Sequence, residues 1–132
     1  MAKIKLIPKE YVEIYKEVFN LINELKTSHE QGKYKTDNYY SKQYLRLSER
    51  ADSLKIKDYE YENRTKLHNE ISFCIDVEMF STFEAYEIEI PDPTGKYRKK
   101  YRWVTSEEEL FQEVMKHYPK FKGLIEKMML EE

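Results

Sequence analysis

The chain has 132 residues, a formal net charge of −2 and 36% charged residues. This length fits one domain with a modest core, and the balanced charge excludes a global electrostatic footprint for nucleic acid or membrane. The one cysteine, Cys74, excludes an internal disulfide framework and a multi-cysteine zinc site. We predict a single domain over residues 1–132.

Composition and hydropathy also indicate a compartment and a source. The first ten residues lack the apolar segment of a secretory signal, and no run approaches about 18 apolar residues. With one cysteine, this favours a reducing, cytoplasmic compartment. The chain has 12 Tyr and 3 Gly. That usage is typical of an AT-rich genome, which favours a low-GC bacterium or one of its phages or plasmids.

The first predicted helix follows Pro8, which suits a first helical turn. Its apolar residues recur at three- and four-residue spacing, and Gly32 is the predicted stop. They are Tyr11, Ile14, Tyr15, Val18, Ile22 and Leu25.

Thr36 or Asp37 can cap the second predicted helix. Its apolar seam lasts only two heptads, so we expect bundle packing, with a homodimer face as the alternative. The seam consists of Tyr40, Tyr44, Leu47, Ala51 and Leu54. Lys42, Arg46 and Arg50 form a separate stripe, either a solvated face or a phosphate-binding one.

Residues 55–63 are a predicted connection, followed by a third helix over residues 67–80. One face carries Leu67, Ile71, Cys74 and Ile75, and a neighbouring face carries Phe73, Val77 and Phe80. Apolar residues on both faces predict a buried, central helix. The alternative is a strand over residues 71–77.

Residues 83–105 predict a β-hairpin, because two alternating runs flank the breaker Pro91-Asp92-Pro93-Thr94-Gly95. We expect an acidic face beside a basic one, and an aliphatic face beside an aromatic one. Ser106 and Glu109 then form a capping box for the next helix. Pro119 ends or kinks that helix, and a last helix follows.

These elements predict an α+β fold in the order α-α-α-β-β-α-α: a small helical bundle with one antiparallel β-hairpin packed on it. A hairpin alone is marginal and needs such a partner layer.

Catalytic chemistry has little support in the sequence. The His68-Asn69-Glu70 motif lacks the cysteine pair of zinc deaminases, so we expect a solvated helix face. His29, His68 and His117 lack metal-ligand spacing, and 92–95 has the residues of a turn. No phosphate-binding loop or nucleophile elbow is present. We predict a non-enzyme with no catalytic residue, metal or cofactor.

Charge changes sign abruptly around the predicted hairpin. Residues 67–95 contain seven acidic and no basic residues, whereas residues 96–102 contain five basic ones. Aromatic and arginine side chains are enriched at interface hot spots. The predicted partner-binding residues are Glu84, Glu87, Glu89, Tyr97, Arg98, Lys100, Tyr101, Arg102 and Trp103.

The leading functional hypothesis is a small intracellular factor that binds a protein partner. One form is an accessory protein of a phage or mobile element that inhibits a host enzyme or defence nuclease, as small anti-CRISPR proteins do. Its acidic residues would occupy a nuclease's basic groove. The alternative is a nucleic-acid-binding or transcription-regulating protein that uses the basic, aromatic hairpin. The sequence does not fix the oligomeric state.

Overall fold

The computed structural model describes residues 7–54, 65–80, 83, 87–90, 100–103 and 106–131. For residues 87–90, 100–103 and 131 the description covers the backbone alone. Within these residues, five α-helices and two short strands follow in chain order. They are α1 (Lys9–Gln31), α2 (Tyr39–Leu54), α3 (Lys66–Phe73), β1 (Glu87–Ile90), β2 (Lys100–Trp103), α4 (Glu107–Met115) and α5 (Tyr118–Glu131). A π-helical segment, Cys74–Glu78, continues α3.

The α+β prediction is wrong, because the fold is all-α in class. The described core comes entirely from helices and from the helical turns that follow α3. Alternating apolar and polar residues predict a strand, but they do not predict how large a sheet that strand joins.

The extended backbone in the described residues consists of β1 and β2, which pair antiparallel with each other. Each strand has four residues, and a two-stranded hairpin of this kind is only marginally stable by itself. Their register places Glu89 opposite Tyr101 and Ile90 opposite Lys100. The predicted pairing of an acidic with a basic face is therefore wrong for this register.

Helix α1 is the centre of the bundle and packs against α2, α4 and α5. Its predicted apolar positions are all buried. The helix ends at Gly32 as predicted, with φ of 66° in the left-handed region. Gly32 N–H donates to the His29 carbonyl, and Lys33 N–H donates to the Ser28 carbonyl, each at 3.0 Å. These two bonds form a Schellman motif, which satisfies the last carbonyls of the helix.

Helix α2 begins later than predicted. The helix starts at Tyr39. Asp37 and Asn38 before it take left-handed φ angles of 59° and 57°, so neither Thr36 nor Asp37 is the N-cap. Asn and Asp tolerate this conformation better than other residues with a side chain. The seam from Tyr40 to Ala51 is buried within the chain, so it is not available as a homodimer face.

Helix α3 confirms the helical prediction against the strand alternative. Thr65 caps it, since its hydroxyl accepts a bond from the His68 N–H at 2.9 Å. The second apolar face is only partly covered, however, and Phe80 is the residue of that face that packs against the core. Phe73 and Val77 are 51% and 55% exposed, which contradicts the prediction that both apolar faces are covered.

The last two helices follow the predicted signals. The Ser106 hydroxyl accepts a bond from the Glu109 N–H at 3.2 Å, which confirms the predicted cap of α4. Helix α4 ends at Met115, and Pro119 lies in the first turn of α5, where its missing N–H costs no helical bond. Within the described ranges, no helix is long and apolar enough to cross a membrane.

Candidate partner-binding surface

All nine predicted partner-binding residues lie where side chains are not described. Glu84, Tyr97 and Arg98 are outside the described residues altogether. The others lie on strands described by their backbone alone: Glu87, Glu89, Lys100, Tyr101, Arg102 and Trp103. Their role in binding stays a prediction.

A different surface has its side chains described, and it centres on the exposed apolar residues Phe73 and Val77. They lie four residues apart and so share one helical face. The Nζ atom of Lys120 is 6.0 Å from the centroid of the Phe73 ring. Helix α5 therefore borders this face. We call Phe73, Val77, Glu78, His117 and Lys120 the Phe73 surface.

Glu78 is the charged centre of the Phe73 surface. Its Oε1 atom lies 2.6 Å from Lys120 Nζ, and its Oε2 atom lies 3.5 Å from His117 Nδ1. Cys74 Sγ is 3.7 Å from the same Oε2. One carboxylate thus joins the π-helical segment to the start of α5.

Hydrogen bonding and burial shift the pKa values of Glu78 and Cys74. The hydrogen bond from Lys120 is the largest influence on Glu78 and lowers the pKa of its carboxyl. Burial raises the pKa of the Cys74 thiol to about 11, with the Glu78 charge acting in the same direction. A buried thiol that is protonated at neutral pH is a poor nucleophile. The burial of Cys74 agrees with its predicted place in the core.

The π-helical segment carries Val77 and Glu78 of the Phe73 surface. Met79 N–H donates to the Cys74 carbonyl at 3.0 Å, a bond across five residues instead of four. The Tyr44 hydroxyl of α2 donates to the carbonyl of Ile75 at 2.6 Å. Single π-helical turns are frequent at functional sites, because they displace side chains from the regular helical positions.

The acidic run is partly neutralised in its described part. Glu78 is bound by Lys120, and Glu70 lies 3.8 Å from Lys66. The Ser72 hydroxyl donates to Asp76 at 3.1 Å. This part of the run is not a row of free carboxylates.

The basic stripe on α2 is exposed but is also partly satisfied within the fold. Arg50 pairs with Glu17 of α1 at 2.6 Å, and Arg46 donates to Gln43 at 2.7 Å. Lys42 is exposed. This arrangement gives a phosphate backbone fewer free cations than the sequence indicates.

The three histidines lie in separate environments. His29 Nδ1 lies 2.7 Å from the Tyr34 hydroxyl, and His68 Nδ1 lies 3.1 Å from the Tyr15 hydroxyl. His68 is 1% exposed, so the predicted solvated position is wrong. Across the part of the chain with described side chains, no three His, Cys, Asp or Glu residues are placed to hold a metal ion.

No protein-family model, curated protein or solved structure matches the chain.

The sequence did not single out the Phe73 surface. The spacing of Phe73 and Val77 predicts core positions, because it matches a helix buried on two sides. His117 precedes Pro119 and Lys120 follows it, and neither residue belongs to a recognisable motif. The second apolar face of α3 was the signal in the sequence that could have pointed to this surface, because a helix at the edge of a bundle needs only one apolar face for its packing.

Proposed function

We propose that this chain is a non-enzymatic, cytoplasmic factor that acts by binding a protein partner, with Phe73 and Val77 at the centre of the contact. The observation that supports the proposal is their exposure, 51% and 55%, on one helical face. Full burial of an apolar side chain of this size is favourable by about 1.5–3 kcal/mol, and the half of each side chain that is still exposed would contribute about half of that. An apolar centre of this kind is common in protein interfaces.

The surroundings of the two residues support the same proposal. Lys120 and Glu78 bond to each other at 2.6 Å, and His117 lies beside them. An interface with an apolar centre and a polar rim excludes water from the centre and uses the rim for orientation. We propose that the Phe73 surface is the central part of a wider contact, since a stable interface covers about 800 Å² on each partner.

The narrower proposal concerns the kind of partner. A small chain with AT-rich residue usage and no recognised catalytic motif suits an accessory factor of a phage or mobile element. Such a factor would inhibit a host enzyme or defence nuclease by occupying its surface. This narrower proposal rests on the sequence.

Site-specific photo-cross-linking tests the binding proposal. A benzoylphenylalanine at position 73 should give a discrete protein adduct in cells where the chain occurs naturally. The matched control has the same group at Leu130, which is apolar and 86% exposed on α5. We expect an adduct from position 73 that survives nuclease treatment, and none of the same mass from position 130.

Two outcomes would count against the proposal. The absence of a discrete adduct from position 73, or the same adducts from both positions, would remove the Phe73 surface as a specific contact. Adducts that disappear with nuclease would favour the nucleic-acid-binding alternative. If an adduct is identified, activity of that partner with and without the chain tests inhibition.

A further inference from the structure

A second candidate site lies away from the Phe73 surface, in an open groove between α1 and α2. Its volume is about 180 Å³. Typical small-molecule pockets are larger, with volumes of about 300–1,000 Å³. It is large enough for one long side chain. The residues that line it are Glu17, Asn20, Leu21, Glu24, Tyr39, Gln43, Arg46 and Leu47.

The groove has an apolar floor and polar walls. Leu21 and Leu47 are each 6% exposed and come from opposite helices. Glu24 and Tyr39 stand together along the groove, and the Tyr39 hydroxyl lies 3.4 Å from Glu24 Oε2. A carboxylate beside an aromatic ring is a combination that attracts a cation through charge and through the ring face.

An ammonium group already binds this combination within the chain. Lys35 Nζ lies 2.5 Å from Glu24 Oε1 and 4.3 Å from the centroid of the Tyr39 ring. The bond to Glu24 raises the pKa of Lys35. Lys35 therefore shows how Glu24 and Tyr39 recognise an alkylammonium group.

The contact of Lys35 is suited to exchange. Its side chain is 55% exposed, and it belongs to the segment between α1 and α2. Its backbone is held independently, because the Lys35 N–H donates to the buried Tyr40 hydroxyl at 3.0 Å. The ammonium group can leave Glu24 without any change in the backbone bond.

From this arrangement we infer that the α1–α2 groove binds a lysine side chain of a partner peptide, and that Lys35 competes for the same two residues. The aliphatic part of the ligand lies on Leu21 and Leu47, and its ammonium group takes the place of Lys35 Nζ. Asn20 and Gln43 supply amides for the ligand's backbone. This inference does not depend on the Phe73 surface, so either can fail without the other.

Titration of the 15N-labelled chain with acetyl-Gly-Lys-Gly-amide, followed by NMR, tests the site. We expect shifts concentrated at the groove residues and a weaker response to the peptide with norleucine in place of lysine. Lys35→Ala should increase affinity by about two- to fivefold, because it removes a competing exposed ion pair. Glu24→Gln should weaken binding by a similar factor.

Matched controls separate the site from general charge. Lys33→Ala removes the same charge from the same segment, and Glu30→Gln removes one carboxylate of α1 that does not line the groove. Both should leave the affinity close to that of the unmodified chain. The inference is overturned if Lys35→Ala behaves like Lys33→Ala, if norleucine binds as well as lysine, or if no variant binds the peptide.

Discussion

Tyr44 connects α2 to the π-helical segment through a single buried hydrogen bond. Its hydroxyl donates to the Ile75 carbonyl at 2.6 Å, and its ring stacks on Phe83 with centroids 4.0 Å apart. Tyr44 has no exposed surface. Burial raises the pKa of its hydroxyl well above the ordinary value, so the group stays a protonated donor at any physiological pH.

Replacing Tyr44 with Phe should therefore destabilise the chain while leaving the ring stack in place. We expect a loss of about 1–3 kcal/mol in the free energy of unfolding, because the Ile75 carbonyl loses a buried partner. Urea denaturation measures this change. Tyr39→Phe is the matched control, because the Tyr39 hydroxyl lies as far as 3.4 Å from Glu24 Oε2 in a partly buried position. A hydrogen bond of that length is weak, so its loss should cost far less. Equal losses in both variants would contradict a special role for the Tyr44 bond.

The burial of some residues could be predicted from the sequence, and that of others could not. The burial of Cys74 followed from the apolar helical face around it. The sequence predicts a solvated His68, although this residue lies three residues before Ile71 and seven before Ile75, on the same buried stripe. The polar ring hid this position. A buried histidine needs a partner, and Tyr15 comes from a helix that the local sequence does not indicate.

At the scale of elements, the two described glycines should respond in opposite directions to the same substitution. Gly32 has φ of +66° at the end of α1, whereas Gly123 lies inside α5, and an added methyl group would meet nothing within 4 Å at either position. The difference is thus conformational. Gly32→Ala should destabilise the chain by about 1–2 kcal/mol, because the left-handed region is unfavourable for alanine.

Gly123→Ala is the counterpart and should stabilise the chain by about 0.5–1 kcal/mol, because alanine loses less entropy in a helix. Thermal and urea unfolding of both variants measure the two signs. A destabilised Gly123→Ala variant would show that packing of α5 controls this position. An unchanged Gly32→Ala variant would show that the end of α1 can rearrange.

Helices were predictable because their spacing and end signals are local. Gly32 and Ser106 act where the sequence placed them. The class of the fold was not predictable, because it depends on how many further strands pair with a hairpin. The register of β1 and β2 was also out of reach: alternation fixes faces along one strand, but sliding by one residue changes every opposite pair.

The exposure of the second apolar face of α3 could not be predicted from the sequence of that helix. Spacing identified Phe73 and Val77 as apolar positions on a helix, but burial depends on which element packs against them. Helix α5 covers only part of that face. A residue that the sequence assigns to a core can therefore belong to an interface.

At the scale of the whole molecule, Glu78 joins distant parts of the chain. It lies at the end of the π-helical segment and bonds to Lys120, 42 residues later. The pair links α3 to α5. Glu78 is 19% exposed and Lys120 is 55% exposed, so solvent screens much of the attraction.

The pH dependence of stability should report this link. Bonding to Lys120 lowers the pKa of Glu78 from the ordinary 4.5, so its contribution is present above that value and is lost as pH falls through the lowered pKa. Glu78→Gln should be less stable than the unmodified chain at pH 7, by less than about 1 kcal/mol. The difference should shrink below pH 4.5 as the unmodified carboxyl takes up a proton.

Urea unfolding at a series of pH values measures that difference. Glu126→Gln is the matched control, because Glu126 is 59% exposed and lies 4.0 Å from Lys122 within one helix. Its effect should be small at every pH. A Glu78→Gln difference that stays constant from neutral to acidic pH would mean that the amide disturbs packing, and that the charge of Glu78 does not hold α3 to α5. A difference that closes would assign the coupling of the two helices to the carboxylate.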